Sequence, residues 1–312
     1  MSDDLDIHPA SESERAEAFA NFHDAWGGGR SPAEHLRYHL AHPKHRNAVW
    51  YVGCSGGRVV TGLGCYRIDF CVNGRVEPGY AFGEVHTRAE CRGRGFAPRL
   101  IAWVEDHQQS QGREIGMLYS DIDPGYYVRL GYVLCPSNEG WADPRGLDVE
   151  TSPGSRLVPI SAQDELADVT AIYGRFHSTW TVSIARSLAY TEYLVSCGPK
   201  DEFFWATDAE GRRAGYARIS CDAQKLKIRD VALVDHAEAT RRAILVELIR
   251  LGKERGVERV GGWMADSPLH RELFTLRPRR REITMLKSLR RELVLDARLI
   301  ADVDHFQEMD HV

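Results

Sequence analysis

Arg92-Gly93-Arg94-Gly95-Phe96-Ala97 stands between a segment that reads as a strand ending at Thr87 and an amphipathic helix beginning near Ala97. A glycine-bearing loop that opens a helix is an anion site. Gly95 and the small Ala97 let a diphosphate approach the main chain, while free N–H groups and the positive end of the helix dipole stabilise its charge. The helix is legible in its apolar spacing: Ala97, Leu100, Ile101 and Val104 share one face, and Pro98 sits in the first turn, where a missing N–H costs little. These residues imply a pyrophosphate-bearing cofactor.

The loop lacks the Gly-Lys-Ser/Thr ending of a nucleotide-triphosphate loop and the three glycines of a dinucleotide turn. Its Arg92, Gly95 and Ala97 instead fit the pattern Arg-x-x-Gly-x-Gly/Ala. Around it lie a strand from Phe82 to Thr87, the helix, a strand from Ile115 to Ser120, and Pro124-Gly125-Tyr126-Tyr127-Val128-Arg129-Leu130-Gly131-Tyr132. In that order the segments resemble the GNAT superfamily of acyl-CoA-dependent N-acyltransferases. The resemblance implies acetyl-CoA as cofactor, cradled by Arg92, Gly93, Arg94, Gly95, Phe96 and Ala97, with the backbone of Val85 to Thr87 bonding its acetyl and pantetheine amides. It also implies that Tyr127 protonates the leaving thiolate and that a carboxylate at Glu84 serves as base or amine-binding group. Residues 20–135 resemble most the fungal-type lysine N6-acetyltransferases.

The composition is that of an ordinary globular chain of 312 residues, long enough for two domains. A net charge of -5 argues against a general nucleic-acid-binding surface, although Arg277 to Arg281 form a local basic run whose default reading is a solvated turn, with contact to an anionic partner or to the 3′-phosphate of CoA as the alternative. No apolar run is long enough to cross a bilayer, and Met1-Ser2-Asp3-Asp4 carries no apolar signal core. The expectation is a cytoplasmic protein, monomer or homodimer, with no membrane or nucleic-acid partner. Seven cysteines without Cys-x-x-Cys spacing read as reduced structural thiols.

An internal repeat organises the chain. Phe22-His23-Asp24-Ala25-Trp26 recurs as Phe176-His177-Ser178-Thr179-Trp180, and the strand-turn-strand unit around Trp50 recurs around Trp205. Farther on, Leu100 and Ile244, Ile101 and Leu245, Val104 and Leu248, Gly112 and Gly256, and Pro124 and Pro268 are each 144 residues apart. The expected fold is α/β (α+β): two tandem GNAT-like domains, each a mixed, mostly antiparallel twisted sheet flanked by helices. The boundary falls near Thr151-Ser152-Pro153-Gly154-Ser155, giving a catalytic domain over 1–150 and a second over 151–312 with a C-terminal tail from Lys287. In the constant register Arg92 maps to His236, Gly95 to Ala239, Ala97 to Arg241 and Tyr127 to Arg271. The second copy therefore reads as degenerate, shaping the site without binding cofactor.

For the chemistry, Glu84 and His86 are expected on one face of their strand, because residues two apart point the same way. Either is placed to take a proton from the acceptor amine, with simple ion-pair and packing roles as the plainer alternatives. Asp121 and Asp123 are positioned to hold a cationic substrate, or to cap a turn. His35, His39, His42 and His45 cluster without completing a metal-ligand spacing, and no metal is assigned. The leading function is acetyl transfer to a primary amine of a small molecule, an amino acid such as lysine or an amino-sugar-like compound. A protein or peptide acetyltransferase and a non-catalytic acyl-CoA-binding protein are the alternatives.

Overall fold

The computed structural model describes residues 4–146, 155–160 and 162–311. The first half runs β1 (Asp6–Pro9), α1 (Glu12–Asn21), α2 (His23–Trp26), α3 (Pro32–Ala41), α4 (Pro43–Asn47), β2 (Val49–Ser55), β3 (Arg58–Val72), β4 (Arg75–Thr87), α5 (Phe96–Ser110), β5 (Ile115–Ser120), α6 (Gly125–Val128), β6 (Val133–Leu134) and β7 (Asn138–Ala142). The second runs β8 (Arg156–Ile160), α7 (Ala162–His177), β9 (Val182–Ala185), α8 (Leu188–Cys197), β10 (Glu202–Thr207), β11 (Arg213–Cys221), β12 (Lys225–Leu233), α9 (Glu238–Glu254), β13 (Arg259–Trp263), α10 (Pro268–Leu273), β14 (Thr275–Pro278), β15 (Ile283–Ser288) and α11 (Ala297–Asp302). None of the helices described is long and apolar enough to cross a membrane.

Local chemistry accounts for most boundaries. Ser11 and Ser31 each close a capping box with Glu14 and Glu34 and so start α1 and α3. Asn73 (φ 50°) and Gly74 (φ 78°) are both left-handed, the two-residue turn that joins β3 to β4. Tyr51 packs with Leu100, Ile101 and Val104 of α5, whereas its neighbours Trp50 and Val52 pack with α1 residues, so α5 and α1 cover opposite faces of the first sheet.

The repeat is visible in three dimensions. Phe22 meets Trp26 edge-on at 5.3 Å, and Phe176 meets Trp180 in the same way at 5.1 Å. Leu100, Ile101 and Val104 are buried, as are Ile244, Leu245 and Leu248. Gly112 and Gly256 close their helices at φ 77° and 71°.

The sheets have the same strand order, but they do not divide the chain cleanly. The first is β1-β2-β3-β4-β5-β15-β6 and the second, from its opposite edge, β8-β10-β11-β12-β13-β7-β14. β15 comes from the second half and lies between β5 and β6, while β7 comes from the first half and lies between β13 and β14. β9 also crosses, pairing Val182–Ala185 with Asp69–Val72 of β3. The expected boundary at Thr151–Ser155 lies almost wholly outside the described residues, and each half lends the other a strand across it. Lys287, expected to begin a tail, is a residue of β15: its Nζ donates to Glu105 Oε2 at 2.6 Å and to the Leu130 carbonyl at 2.7 Å.

The residues after α11 fill the second sheet's cleft. His305 stacks on Trp180 at 4.3 Å, and Asp304 accepts from Asn138 and from the amide of Asp266. Arg186 grips the carboxylates of both Asp230 and Asp310 in a fully buried cluster, with Asp310 close to the end of the chain.

Candidate active site

β4 and β5 run parallel and pair from Gly79–Ile115 to Phe82–Leu118; beyond that register they part. The main chain of β4 from Gly83 to Thr87 is thus unpaired on its β5 side. Just past this gap the chain turns through Gly93 (φ 77°) and Gly95 (φ 74°) into α5. Apart from the adjoining residues, no described atom lies within 4 Å of where a Cβ would stand at either glycine, and no side chain caps the helix. The first-turn amides therefore face open space at the positive end of a 15-residue helix. A diphosphate fits this cradle.

Arg92 braces the loop: its Nε donates to the carbonyl of Thr87 at 3.1 Å, tying the loop to the end of β4. That carbonyl is consequently engaged. Arg94 lies over the ring of Phe96 at 4.6 Å, and Phe96 itself is buried against Leu5, Val60 and Cys91.

Tyr127 lies in α6, packed in the cluster that includes Phe82, Leu118 and Met285. Its ring sits between Tyr126 at 5.0 Å and Tyr132 at 5.9 Å. The residue is 7 % exposed, and its hydroxyl makes no hydrogen bond with the described residues. Burial, with Tyr126 and Asp121 adding to it, pushes its pKa up, so the phenol stays protonated.

Glu84 and His86 do not share a face. In β4, Gly83 stands opposite Gly64 and His86 opposite Gly62, so Glu84 and Val85 together oppose Leu63. This bulge, with Glu84 at φ 48°, inverts the alternation on which the expectation rested. Glu84 turns to Lys44 (3.0 Å) and to the Tyr66 hydroxyl (2.9 Å). Burial alone would raise its carboxyl pKa, but the charges of Lys44 and His45 and the hydrogen bonds from Lys44 and Tyr66 prevail and hold it at about 2. His86 turns the other way, edge-on to Phe22 at 5.3 Å beneath Gly62, with no hydrogen-bond partner for its ring. Desolvation lowers its pKa to about 4, so it is neutral.

The two aspartates serve the backbone. Asp121 Oδ1 accepts from the amide of Glu282 at 3.0 Å, and Asp123 Oδ1 from that of Gly125 at 3.0 Å, closing the turn that leads into α6. The histidine cluster is a packing layer: His39 Nδ1 and His45 Nε2 are 2.8 Å apart, among Phe19, Phe22 and Trp50. Lys44 was not legible as the partner of Glu84, since nothing in the linear pattern joins them. Met285 of β15 forms part of the wall around Tyr127, so the second half contributes to the site through its lent strand.

In the second half the equivalent loop is closed. α9 starts after Ala237 in extended backbone (φ -66°, ψ 127°), with no left-handed glycine. His236 stacks on Phe176 at 5.0 Å, Arg241 lines the adjoining cleft, and Arg271 pairs with Asp266.

A short parallel strand pair followed by a helix without a side-chain cap occurs in both halves, and of the two only the first has left-handed glycines in the loop that opens the helix. Residues 6–135 match the family model of the acetyltransferase (GNAT) domain. The whole chain resembles solved structures at low identity. A GCN5-related N-acetyltransferase from Anabaena variabilis aligns with TM-score 0.73 and 16 % identity, over 91 % of this chain and 72 % of that one. Eis1 from Mycobacterium abscessus aligns with TM-score 0.60 and 20 % identity, over 91 % and 73 %. A tandem GNAT protein from the clavulanic acid biosynthesis pathway aligns with TM-score 0.58 and 14 % identity, over 91 % and 98 %. Among curated proteins none matches the sequence.

Proposed function

We propose that the protein is an acetyl-CoA-dependent N-acetyltransferase acting on the primary amine of a small molecule, by direct attack in a ternary complex. The observation that carries this is the single intact loop, Gly93 to Ala97, beside a gap in the sheet and the unpartnered hydroxyl of Tyr127. Bound acetyl-CoA supplies the thioester carbonyl and a thiolate leaving group. Gly93, Gly95 and the first turn of α5 hold the diphosphate, and the β4 main chain at Val85 orients the acyl arm. Tyr127 keeps its proton until charge develops on sulfur, donates it, and is restored by the proton the amine releases. Glu84, ionised and bound to Lys44, fixes charge at the bulge and is too weak a base to deprotonate an ammonium unaided. The acceptor therefore enters as the neutral amine.

A small acceptor is favoured over an extended peptide because the gap is hemmed in at the end of β5. Tyr119 there meets His311 at 4.9 Å and Trp263 at 5.1 Å. The narrower likeness to lysine N6-acetyltransferases gains no support from the structures aligned above. Following free-thiol release from acetyl-CoA with a panel of amines tests the proposal. Turnover with a small amine is expected, and binding of acetyl-CoA without turnover of any amine would overturn it.

A further inference from the structure

Beside the end of β5 lies a basic cavity of about 550 Å³ that the mechanism above does not use. Seven cationic and three acidic side chains line it, on the face of the second sheet formed by β12, β13, β7 and β14. Two of the acids are committed: Glu308 accepts from Lys227 (2.8 Å) and Arg229 (2.7 Å), and Glu139 from Arg277 (2.7 Å). Among the described residues, Lys225, Arg259, Arg279, Arg280 and Arg281 make no ion pair with a carboxylate.

Arg279 is the decisive one. It is 9 % exposed and lies over the ring of Trp263 at 3.6 Å. Its Nη2 donates to Thr284 Oγ1 at 2.8 Å, while Nε and Nη1 are buried without a partner. A buried guanidinium with two idle donors is costly unless an anion meets it. The cavity also adjoins the catalytic gap. Ile283, at the start of β15, pairs with Ser120 at the end of β5; Glu282 donates its amide to Asp121; and Trp263 touches Tyr119.

We propose that this cavity binds the anionic group of the acceptor, so that the substrate is an amine bearing a phosphate or several carboxylates, with Arg279 as its buried anchor. The inference rests on the acetyl-transfer reading. It also supplies what Glu84 does not, because surrounding positive charge disfavours the ammonium form and enriches the neutral amine. Planar, bidentate guanidinium groups suit both kinds of anionic oxygen.

The test has a binding arm and a kinetic arm, both on the full chain. Thermal unfolding is followed with inorganic phosphate, with citrate and with chloride at equal ionic strength. Phosphate or citrate should stabilise the protein, and Arg279→Gln should remove the effect. Arg281→Gln, an exposed position that does not threaten folding, should weaken it. The kinetic arm compares glucosamine 6-phosphate with glucosamine, and glutamate with its diamide-like neutral counterpart glutamine amide. The anionic member of one pair should have a kcat/KM at least about tenfold higher, through KM, and Arg281→Gln should reduce that ratio; which pair responds identifies phosphate or carboxylate. Absence of anion stabilisation overturns the proposal. So does anion binding with equal or better use of the neutral amines, which leaves acetyl transfer standing. A rise in the Kd for acetyl-CoA in Arg281→Gln, with the acceptor KM unchanged, would assign the cavity to the cofactor and also overturn it. If no amine of either charge is acetylated, the acetyl-transfer reading itself falls, and the acceptor assignment with it.

Discussion

Tyr127→Phe separates a proton donor from a core aromatic, because in this protein the two roles predict opposite balances of stability and rate. The hydroxyl has no hydrogen bond to lose within the described structure, and the ring contacts with Tyr126 and Tyr132 survive the change. Removing a buried, unpaired hydroxyl is expected to change stability by less than ~1 kcal/mol, in either direction. A useful comparison is Tyr216→Phe in the second half, where the hydroxyl donates to Asp230 Oδ2 at 2.6 Å. Losing that bond to a charged acceptor should cost roughly 1.5–3 kcal/mol and lower the melting temperature by several degrees. Catalytically the order reverses: Tyr127→Phe should lower kcat by ~10²–10⁴-fold with an acetyl-CoA Kd within about threefold of wild type. Because burial keeps the phenol protonated, Tyr127 should impose no falling limb on the wild-type rate below about pH 10. Stopped or continuous thiol assays, calorimetry and thermal melts on both variants decide the matter. A kcat within about threefold of wild type, or a melting loss matching Tyr216→Phe, would refute the reasoning.

Gly95→Glu should abolish acetyl-CoA binding by placing a carboxylate and a strained left-handed residue in the cradle, whereas Ala239→Glu should leave one site per chain by titration calorimetry; two sites, or survival of binding in Gly95→Glu, would count against the single-site assignment. Lys44→Met should destabilise the protein by about 3–5 kcal/mol by stranding the Glu84 carboxylate, and adding Glu84→Gln should recover much of that loss; additive effects in denaturant unfolding would show that the pair is not coupled. Burial lowers His39 to about 3 and His45, His86 and His305 to about 4, below the usual 6.5, so the unfolded chain takes up protons first. Stability should accordingly be level above pH 7 and fall between about 6.5 and 4, by up to ~1.4 kcal/mol per pH unit for each such histidine, and equal denaturation midpoints at pH 7.5 and 5.5 would exclude this.

What the sequence disclosed was what neighbours in the chain decide. The Gly93–Ala97 loop, the Asn73-Gly74 hairpin, the Ile115–Ser120 strand and the capped helices depend on local backbone chemistry, and the 144-residue register depends on buried positions that recur. The strand exchange was illegible because β15 satisfies β5 through main-chain bonds that any apolar strand could make, so nothing in Ile283–Ser288 names its partner. Glu84 and His86 were misplaced relative to each other for a single reason: one extra residue in β4 flips every side chain that follows it, and a bulge at a glutamate carries no glycine to announce it. Arg279 was hidden inside a run of arginines that looks solvated, and only the packing of Trp263 and Thr284 distinguishes it from Arg280 and Arg281.

The lent strands also set the order in which the molecule can be built. During synthesis β5 emerges long before β15, so the first sheet waits with an unfilled slot until almost the entire second half has been made. Meanwhile β7, already made, has no lodging until β13 appears. Neither half can finish alone, and a chain cut between them would leave two fragments that must find each other to be whole.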